Sequence, residues 1–234
     1  MISLDMGNIV ILSPHLDDAI ISCFSQIQTN NVTIINIFAG TPDKSTRTIW
    51  DLVCGQLNSS KMMEHRKSEN NQLMKSLGIT SIDLDYLDHQ YRSNNINYDH
   101  IMNNILKLSP SDSTFLVPLA VGSIFRHLDH VVTRNLGLAL LERRNEVIFY
   151  ADQPYMRVGQ TNKKYLKKLT KRIESDLRLR GTIIPVRLNR NQQKLKLISM
   201  KAYRSQYNML NLISLGALSR KNNLKHEILF KPNI

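Results

Sequence analysis

Six side chains in two short stretches carry the groups with chemical potential. The first stretch is Ser13-Pro14-His15-Leu16-Asp17-Asp18, which offers one imidazole and two carboxylates. The second is His127-Leu128-Asp129-His130, which offers two imidazoles three positions apart with a carboxylate between them. Imidazole and carboxylate together suit zinc and its first-row neighbours, and a carboxylate left over beside such an ion can act as a general base. Each stretch also has an ordinary explanation. Asp17 or Asp18 can cap a helix, and a histidine pair at that spacing can be solvated or packed. What separates the two explanations is the set of elements that must position these residues.

Ile9-Val10-Ile11-Leu12 is a short, β-branched apolar run of the kind found in buried strands, and residues 19–28 read as a helix. The first stretch is therefore a strand-to-helix turn. In an open parallel sheet such turns lie at the carboxyl ends of the strands, where ligands bind. Residues 32–38, ended by Ala39-Gly40, form a second strand and complete a βαβ opening with a right-handed crossover. No G-x-G-x-x-G phosphate turn follows the first strand, which argues against a dinucleotide.

Residues 61–77 read as a helix stopped by Gly78, 82–87 as a third strand, 98–108 as a helix ahead of Pro110, and 114–119 as a fourth strand. The second stretch follows this strand. The apolar spacing through Val131, Val132, Leu136 and Leu140 places it at a helix start, with His127 and His130 sharing one helical face. Residues 146–151 and 182–188 supply further strands, and 161–179 and 191–207 further helices, the last with Leu195, Ile198 and Ala202 inward. Leu210, Leu212, Ile213 and Leu215 extend an apolar stretch over the sheet or a partner. Residues 41–60, with Trp50 and Cys54, form a long polar connection leaving the second strand: a candidate lid, or a mobile link whose tryptophan fills a surface pocket. The alternation predicts an α/β fold, a Rossmann-like three-layer sandwich with a mostly parallel sheet, in one domain spanning residues 1–234.

With 234 residues, 42% hydrophobic and 21% charged, the chain can bury a sizeable core and is not a disordered one. No run approaches the ~20 apolar residues that span a bilayer. Asp5 and Asn8 interrupt anything resembling a secretory leader, and Cys23 and Cys54 form neither a C-x-x-C pair nor a disulfide framework, so the expected compartment is the cytoplasm. The net charge is +12, and between Arg157 and Arg180 nine basic residues face two acidic ones. With few aromatics interleaved, that run reads as a solvated face, and nucleic acid is not the expected partner.

Pro14-His15-Leu16-Asp17-Asp18 together with His127-Leu128-Asp129-His130 resembles the paired P-H-P-D-D and H-x-x-H motifs of the LmbE-like (PIG-L) metal-dependent de-N-acetylases, which remove acetyl groups from N-acetylglucosamine units of glycolipids, thiol precursors and antibiotics. Phe38-Ala39-Gly40, Arg66 with Glu69, Tyr150-Ala151-Asp152-Gln153-Pro154-Tyr155 and Lys201-Ala202-Tyr203-Arg204-Ser205-Gln206 extend the resemblance over nearly the whole chain. It implies His15, Asp18 and His130 as ligands of one divalent metal, Zn2+ foremost with Fe2+ or Mn2+ as alternatives. It implies Asp17 as general base, and His127 as the group that stabilises the oxyanion and protonates the departing amine. Leu16 stands where the family has proline, and Ala19 where a glutamate commonly closes the first motif; the second departure touches the surroundings of the ligands and not the ligands themselves.

Arg66, Arg92 and Tyr155 are the candidates to touch the substrate, expected to be a small-molecule amide, in particular an N-acetylated sugar conjugate. If Arg66, Arg92 or the basic segment faces the cleft, an anionic substrate is favoured over a polycationic aminoglycoside. Three other readings stand beside this one: an amidohydrolase for a non-sugar N-acylated metabolite, a metal-free binding protein on the same fold, and a nucleic-acid or anionic-membrane binder that would use the basic segment from Arg157 to Arg180.

Overall fold

In the computed structural model, which describes residues 7–28, 31–93, 95–121, 127–156 and 158–233, seven strands form one sheet: β1 (Asn8–Ser13), β2 (Asn31–Asn36), β3 (Thr80–Asp83), β4 (Thr114–Pro118), β5 (Glu146–Tyr150), β6 (Gly181–Arg187) and β7 (His226–Pro232). Their order across the sheet is β3-β2-β1-β4-β5-β7-β6. The first five are parallel, with Ile11 opposite Ile34 on one side and Leu116 on the other. β7 runs antiparallel between β5 and β6.

The alternation of strand side chains sorts the core into two layers. Ile9, Ile11, Ile34, Leu116 and Ile148 face one side, against α1 (Asp18–Ser22), α2 (Phe24–Ile27), α4 (Ser59–Leu77), α8 (Arg190–Ala202) and α9 (Tyr207–Ile213). Val10, Leu12, Ile35, Phe115 and Phe149 face the other, against α5 (Tyr98–Leu108), α6 (Leu128–Glu142) and α7 (Lys163–Leu177). This is the expected three-layer α/β sandwich. Among the described residues no helix is long and apolar enough to cross a membrane.

Two glycines set close approaches. A Cβ on Gly137 would lie 2.5 Å from Val117 Cγ1, so glycine lets α6 settle against β4. A Cβ on Gly40 would lie 2.8 Å from the Tyr86 carbonyl carbon, where the exit from β2 crosses the exit from β3.

Several boundaries differ from the sequence reading. The helix expected over 19–28 breaks at Cys23, because Glu227 of β7 accepts the backbone N–H groups of Phe24 and Ser25 at 2.9 and 3.0 Å and so starts a second helix there. The third strand ends at Asp83, and residues 84–86 instead bond across the exit of β2. The helix expected over 191–207 stops at Ala202, and its inward face is not the predicted one. Leu195 and Ile198 are exposed, while Lys196 is fully buried 2.7 Å from Glu227. A desolvated ammonium needs a partner, and this one rotates the helix by about one residue toward Glu227. The connection over 41–60 is also less irregular than expected. It carries α3 (Ile49–Val53), capped by the Thr48 hydroxyl, and leads into α4.

Candidate active site

The chain leaves β1 toward one edge of the sheet and β4 toward the other, so the carboxyl ends of these neighbours flank the crevice where open α/β sheets bind ligands. Both stretches singled out in the sequence lie there. Ser13 Oγ accepts from Ala19 N at 3.1 Å and donates to the carbonyl of His15, which draws the turn together. Asp17 occupies the N-cap position of α1 but makes no capping hydrogen bond, and Asp18 accepts from His15 N at 2.9 Å. Neither carboxylate is therefore spent on capping the helix.

Asp18 Oδ2 stands 3.1 Å from His15 Nδ1 and 3.3 Å from His130 Nε2. Ligand atoms about 2.0–2.2 Å from a tetrahedral zinc lie about 3.3 Å from one another, so these two separations match edges of such a shell, although the described side chains whose donor atoms all lie within 4.8 Å of one another are His15, His127 and His130, and His15, Asp88, His127 and Asp129. His130 Nε2 is buried with the Asp18 carboxylate as its polar neighbour. The opposite ring nitrogens are braced by carboxylates: His130 Nδ1 lies 3.1 Å from Asp152 Oδ2, and His15 Nε2 lies 3.1 Å from Asp129 Oδ2. A carboxylate behind each imidazole is the support that metal-binding histidines ordinarily have. The donor set fits a divalent ion. His127 offers a third ring nitrogen within 4.8 Å of those of His15 and His130.

The electrostatics follow from this crowding. Burial, then the adjacent Asp18 charge, pushes the Asp17 carboxyl up to about 6. Burial works against the Asp18 anion too, but the charges and hydrogen bonds of His130 and His15 hold its carboxyl far below the usual range. Burial likewise opposes a charged His130, yet Asp18 and Asp152 raise its pKa to about 9. His127 goes the other way, down to about 3, through burial and then the charges of His15 and His130. Its ring stands 4.5 Å from that of His15 and 4.4 Å from that of His89, so another proton there is repelled. In this arrangement His127 is a neutral imidazole, which supports a hydrogen-bond donor over the acid that the resemblance implies. Its place is also revised: His127 is the N-cap of α6, in extended backbone, and converges on His130 from outside the helix, with ring centroids 5.4 Å apart.

Above these groups opens a cleft of about 490 Å³, walled by His15, Asp17, Asp18 and His127 at the floor and by Trp50 and Tyr155 higher up. Tyr155 lies edge-on to His130, centroids 5.0 Å apart, and burial keeps its hydroxyl protonated. Arg66 reaches the wall, but its guanidinium is held by Asp51 at 2.9 Å. With the Gln206 amide oxygen turned inward, Gln206 accepts from Arg66 Nη2 at 2.8 Å and from Trp50 Nε1 at 3.2 Å. Arg66 thus fastens α3 to α4. Arg92 is not in the cleft wall: it bonds Asp129 and the Leu87 carbonyl and stacks over Phe38, 4.7 Å from the ring centroid. Arg66 lines the cleft with its guanidinium paired to Asp51, and Arg92 does not line it, so neither presents an unpaired cation to a substrate. No described residue of the basic run lines the cleft, and Arg157 lies outside the described residues.

The sequence reading gives no role to Asp88, His89, Asp129 or Asp152, although Asp129 lies in the second stretch and Asp152 on a loop expected to reach the same rim. Asp129 holds His15, Arg92 and the backbone N–H of His89, and Asp88 lies 3.7 Å from His15 Nε2. The available signal was position: Asp129 lies inside the histidine tetrad, and Asp88 and Asp152 follow strands. Ala19 is wholly buried in the apolar layer under the turn, where the family's glutamate is replaced by packing.

The PIG-L family, described as GlcNAc-PI de-N-acetylase, matches residues 10–141, more than half of the chain. The chain belongs to this family of metal-dependent deacetylases. Among solved structures it is similar to the zinc-inhibited form of teicoplanin deacetylase Orf2, with 18% identity over 97% of this chain and 98% of that one and a TM-score of 0.71. It is also similar to N,N'-diacetylchitobiose deacetylase from Pyrococcus horikoshii, at 15% identity, 97% and 83% coverage and a TM-score of 0.57. The 4-carboxy-2-hydroxymuconate hydratase GalB from Pseudomonas putida shares the fold as well, at 12% identity, 98% and 97% coverage and a TM-score of 0.54. Among curated protein sequences none matches the chain. A hydratase among these neighbours means that the fold does not by itself specify the reaction.

Proposed function

We propose that the protein is a zinc-dependent hydrolase that removes an N-acetyl group from an N-acetylglucosamine-type amino sugar, carried in a glycoconjugate or a natural-product intermediate. The observation that carries the reading is the donor set of Asp18, His15 and His130 with an uncommitted Asp17 beside it on the cleft floor. His15, Asp18 and His130 would hold the ion. When bound, it supplies Lewis acidity, polarising the amide carbonyl and acidifying water.

The remaining steps belong to the chain. Asp17, ionised above a pKa of about 6, accepts a proton from water as the oxygen adds to the amide carbon. His127 donates a hydrogen bond from its neutral ring to the developing oxyanion. Asp17 then returns its proton to the amide nitrogen, the C–N bond breaks, and acetate and a free amine leave. A pKa near neutrality serves both directions of transfer. Tyr155 remains the candidate substrate contact, with Arg66 reassigned to hold the wall and Arg92 to hold Asp129.

The proposal treats residues 1–234 as one deacetylase domain and places it in the cytoplasm, which the two free cysteines, Cys23 and Cys54, favour. The deciding experiment incubates the zinc-loaded protein with free, nucleotide-linked, lipid-linked and antibiotic-linked N-acetylated amino sugars and measures acetate and amine together. Stoichiometric release from at least one is expected. Release only from non-sugar N-acyl compounds would transfer the reading to a general amidohydrolase, and a purified protein that takes up no metal would end it.

A further inference from the structure

Seven of the twelve large apolar side chains exposed among the described residues fall in two short segments: Ile49, Leu52, Val53 and Leu57 in and after α3, and Leu212, Ile213 and Leu215 at the end of α9. Single exposed leucines are normal, but clusters of them mark contact surfaces. Ile49 and Ile213 both line the cleft, so each segment brings one residue to its mouth. No described part of the chain covers them: Ile49 is 81% and Leu215 80% exposed.

The charge around the rims is mostly positive. Lys44 and Arg47 are exposed just before α3, and Arg220 and Lys221 just after α9, with Arg220 Nη2 bonded to the Leu215 carbonyl at 2.8 Å. Residues 177–226 contain eleven Lys and Arg and no Asp or Glu. On the first rim, Asp51 is buried against Arg66, which leaves exposed Asp43 as the acidic group beside Lys44. An apolar tip flanked by cations is the pattern of a surface that enters the headgroup region of an anionic bilayer, where apolar burial and phosphate attraction act together.

We propose that the cleft mouth seats on an anionic lipid surface, with the apolar rim side chains at the headgroup–acyl boundary and Lys44, Arg47, Arg220 and Lys221 against the lipid phosphates. The contact is interfacial, and it stands apart from the deacetylase reading. A second copy of the chain would also cover apolar rims, but two like-charged mouths repel, and the basic flanks favour lipid phosphate.

The test is flotation of the full chain with vesicles of phosphatidylcholine alone and of phosphatidylcholine mixed with phosphatidylglycerol. Binding should be at least about tenfold tighter to the mixed vesicles and should weaken with salt. Trp50, the one tryptophan of the chain, stands on the α3 rim, so its emission should shift to the blue on the mixed vesicles and be quenched by brominated acyl chains. Leu52→Ser with Leu215→Ser should abolish the shift, and Arg47→Glu with Arg220→Glu should remove the preference for the anionic lipid. Both double variants should keep the wild-type melting temperature and metal content. Equal binding to both vesicle types, unchanged binding by the leucine variant, or a lipid-free dimer that the leucine variant dissociates would each overturn the proposal.

Discussion

At the floor of the cleft the candidate metal-binding imidazoles are held from behind, Asp152 behind His130 and Asp129 behind His15 with Arg92 behind Asp129, while Asp17 and His127 are left for the substrate. The outer walls follow a different rule. α3 and the end of α9 present apolar side chains to open space, and Asp51 ties α3 to Arg66 and to the Tyr91 hydroxyl, with Gln206 bridging Arg66 and Trp50. A floor braced in this way fixes a reaction geometry, since imidazoles locked from behind cannot drift away from an ion. Walls that turn apolar side chains outward leave the choice of substrate to those few side chains. The sharing of the fold with a hydratase fits this division: chemistry sits in the floor residues, and the sheet only delivers them.

The largest effects should come from cutting the floor. His15→Ala, Asp18→Ala and His130→Ala should each lose most of the bound metal and all measurable turnover, read by metal analysis and acetate release. Asp17→Asn should keep its metal and lose roughly 10²–10⁴-fold in kcat, the usual range for a general base. Because Asp17 must be ionised, and its folded pKa is raised to about 6, kcat/KM of the wild type should fall as the pH is lowered through that region, with a neighbouring cation moving the limb downward and never upward. An Asp17→Asn enzyme with normal turnover would break the distinction between ligand and base.

His127→Ala comes next, with kcat reduced roughly 10²–10³-fold if the ring donates to the oxyanion. Its metal content should be unchanged. Since burial and neighbouring charges keep this imidazole neutral down to a pH of about 3, the wild type should show no alkaline limb that disappears in the variant. A limb that does disappear would restore the acid role implied by family resemblance and contradict the neutral ring. A smaller loss is expected one step back. Asp152→Asn keeps the shape but weakens the brace on His130, and metal affinity, measured by competition with a chelator, should drop about 10–100-fold with kcat of the loaded enzyme little changed.

Much of the floor was legible in the sequence because its ligands follow strands, and strands announce themselves by apolar runs such as Ile9-Val10-Ile11-Leu12. The βαβ order then placed both stretches on one rim. What was not legible depends on contacts distant in the chain. Cys23 breaks a helix because Glu227, 204 positions later, supplies the carboxylate for a second N-terminus. Lys196 turns inward for the same carboxylate, against the apolar period that favoured Leu195 and Ile198. β7 had no place in the sequence reading, although its insertion between β5 and β6 makes the sheet mixed at that edge. Arg92 looked like a substrate contact because an arginine in a polar loop carries no sign of the buried Asp129 that engages it.

The outer wall should yield the smallest effect and the most selective one. Ile49 is 81% exposed, so Ile49→Ser removes little buried area and should leave the melting temperature and the metal content unchanged. The same side chain lines the cleft, where a substrate carrying an apolar substituent would cover it. Covering an isoleucine that folding left exposed is worth roughly 1–1.5 kcal/mol for partial burial, or about five- to tenfold in affinity. KM for an N-acetylated amino sugar bearing an alkyl or aryl group should therefore rise by about that factor, while KM for free N-acetylglucosamine, too small to reach the rim, and kcat for both should stay as they are. An equal rise for the two substrates would mean that Ile49 shapes the floor and not the wall, and that the separation of reaction from recognition in this protein is less complete than its geometry suggests.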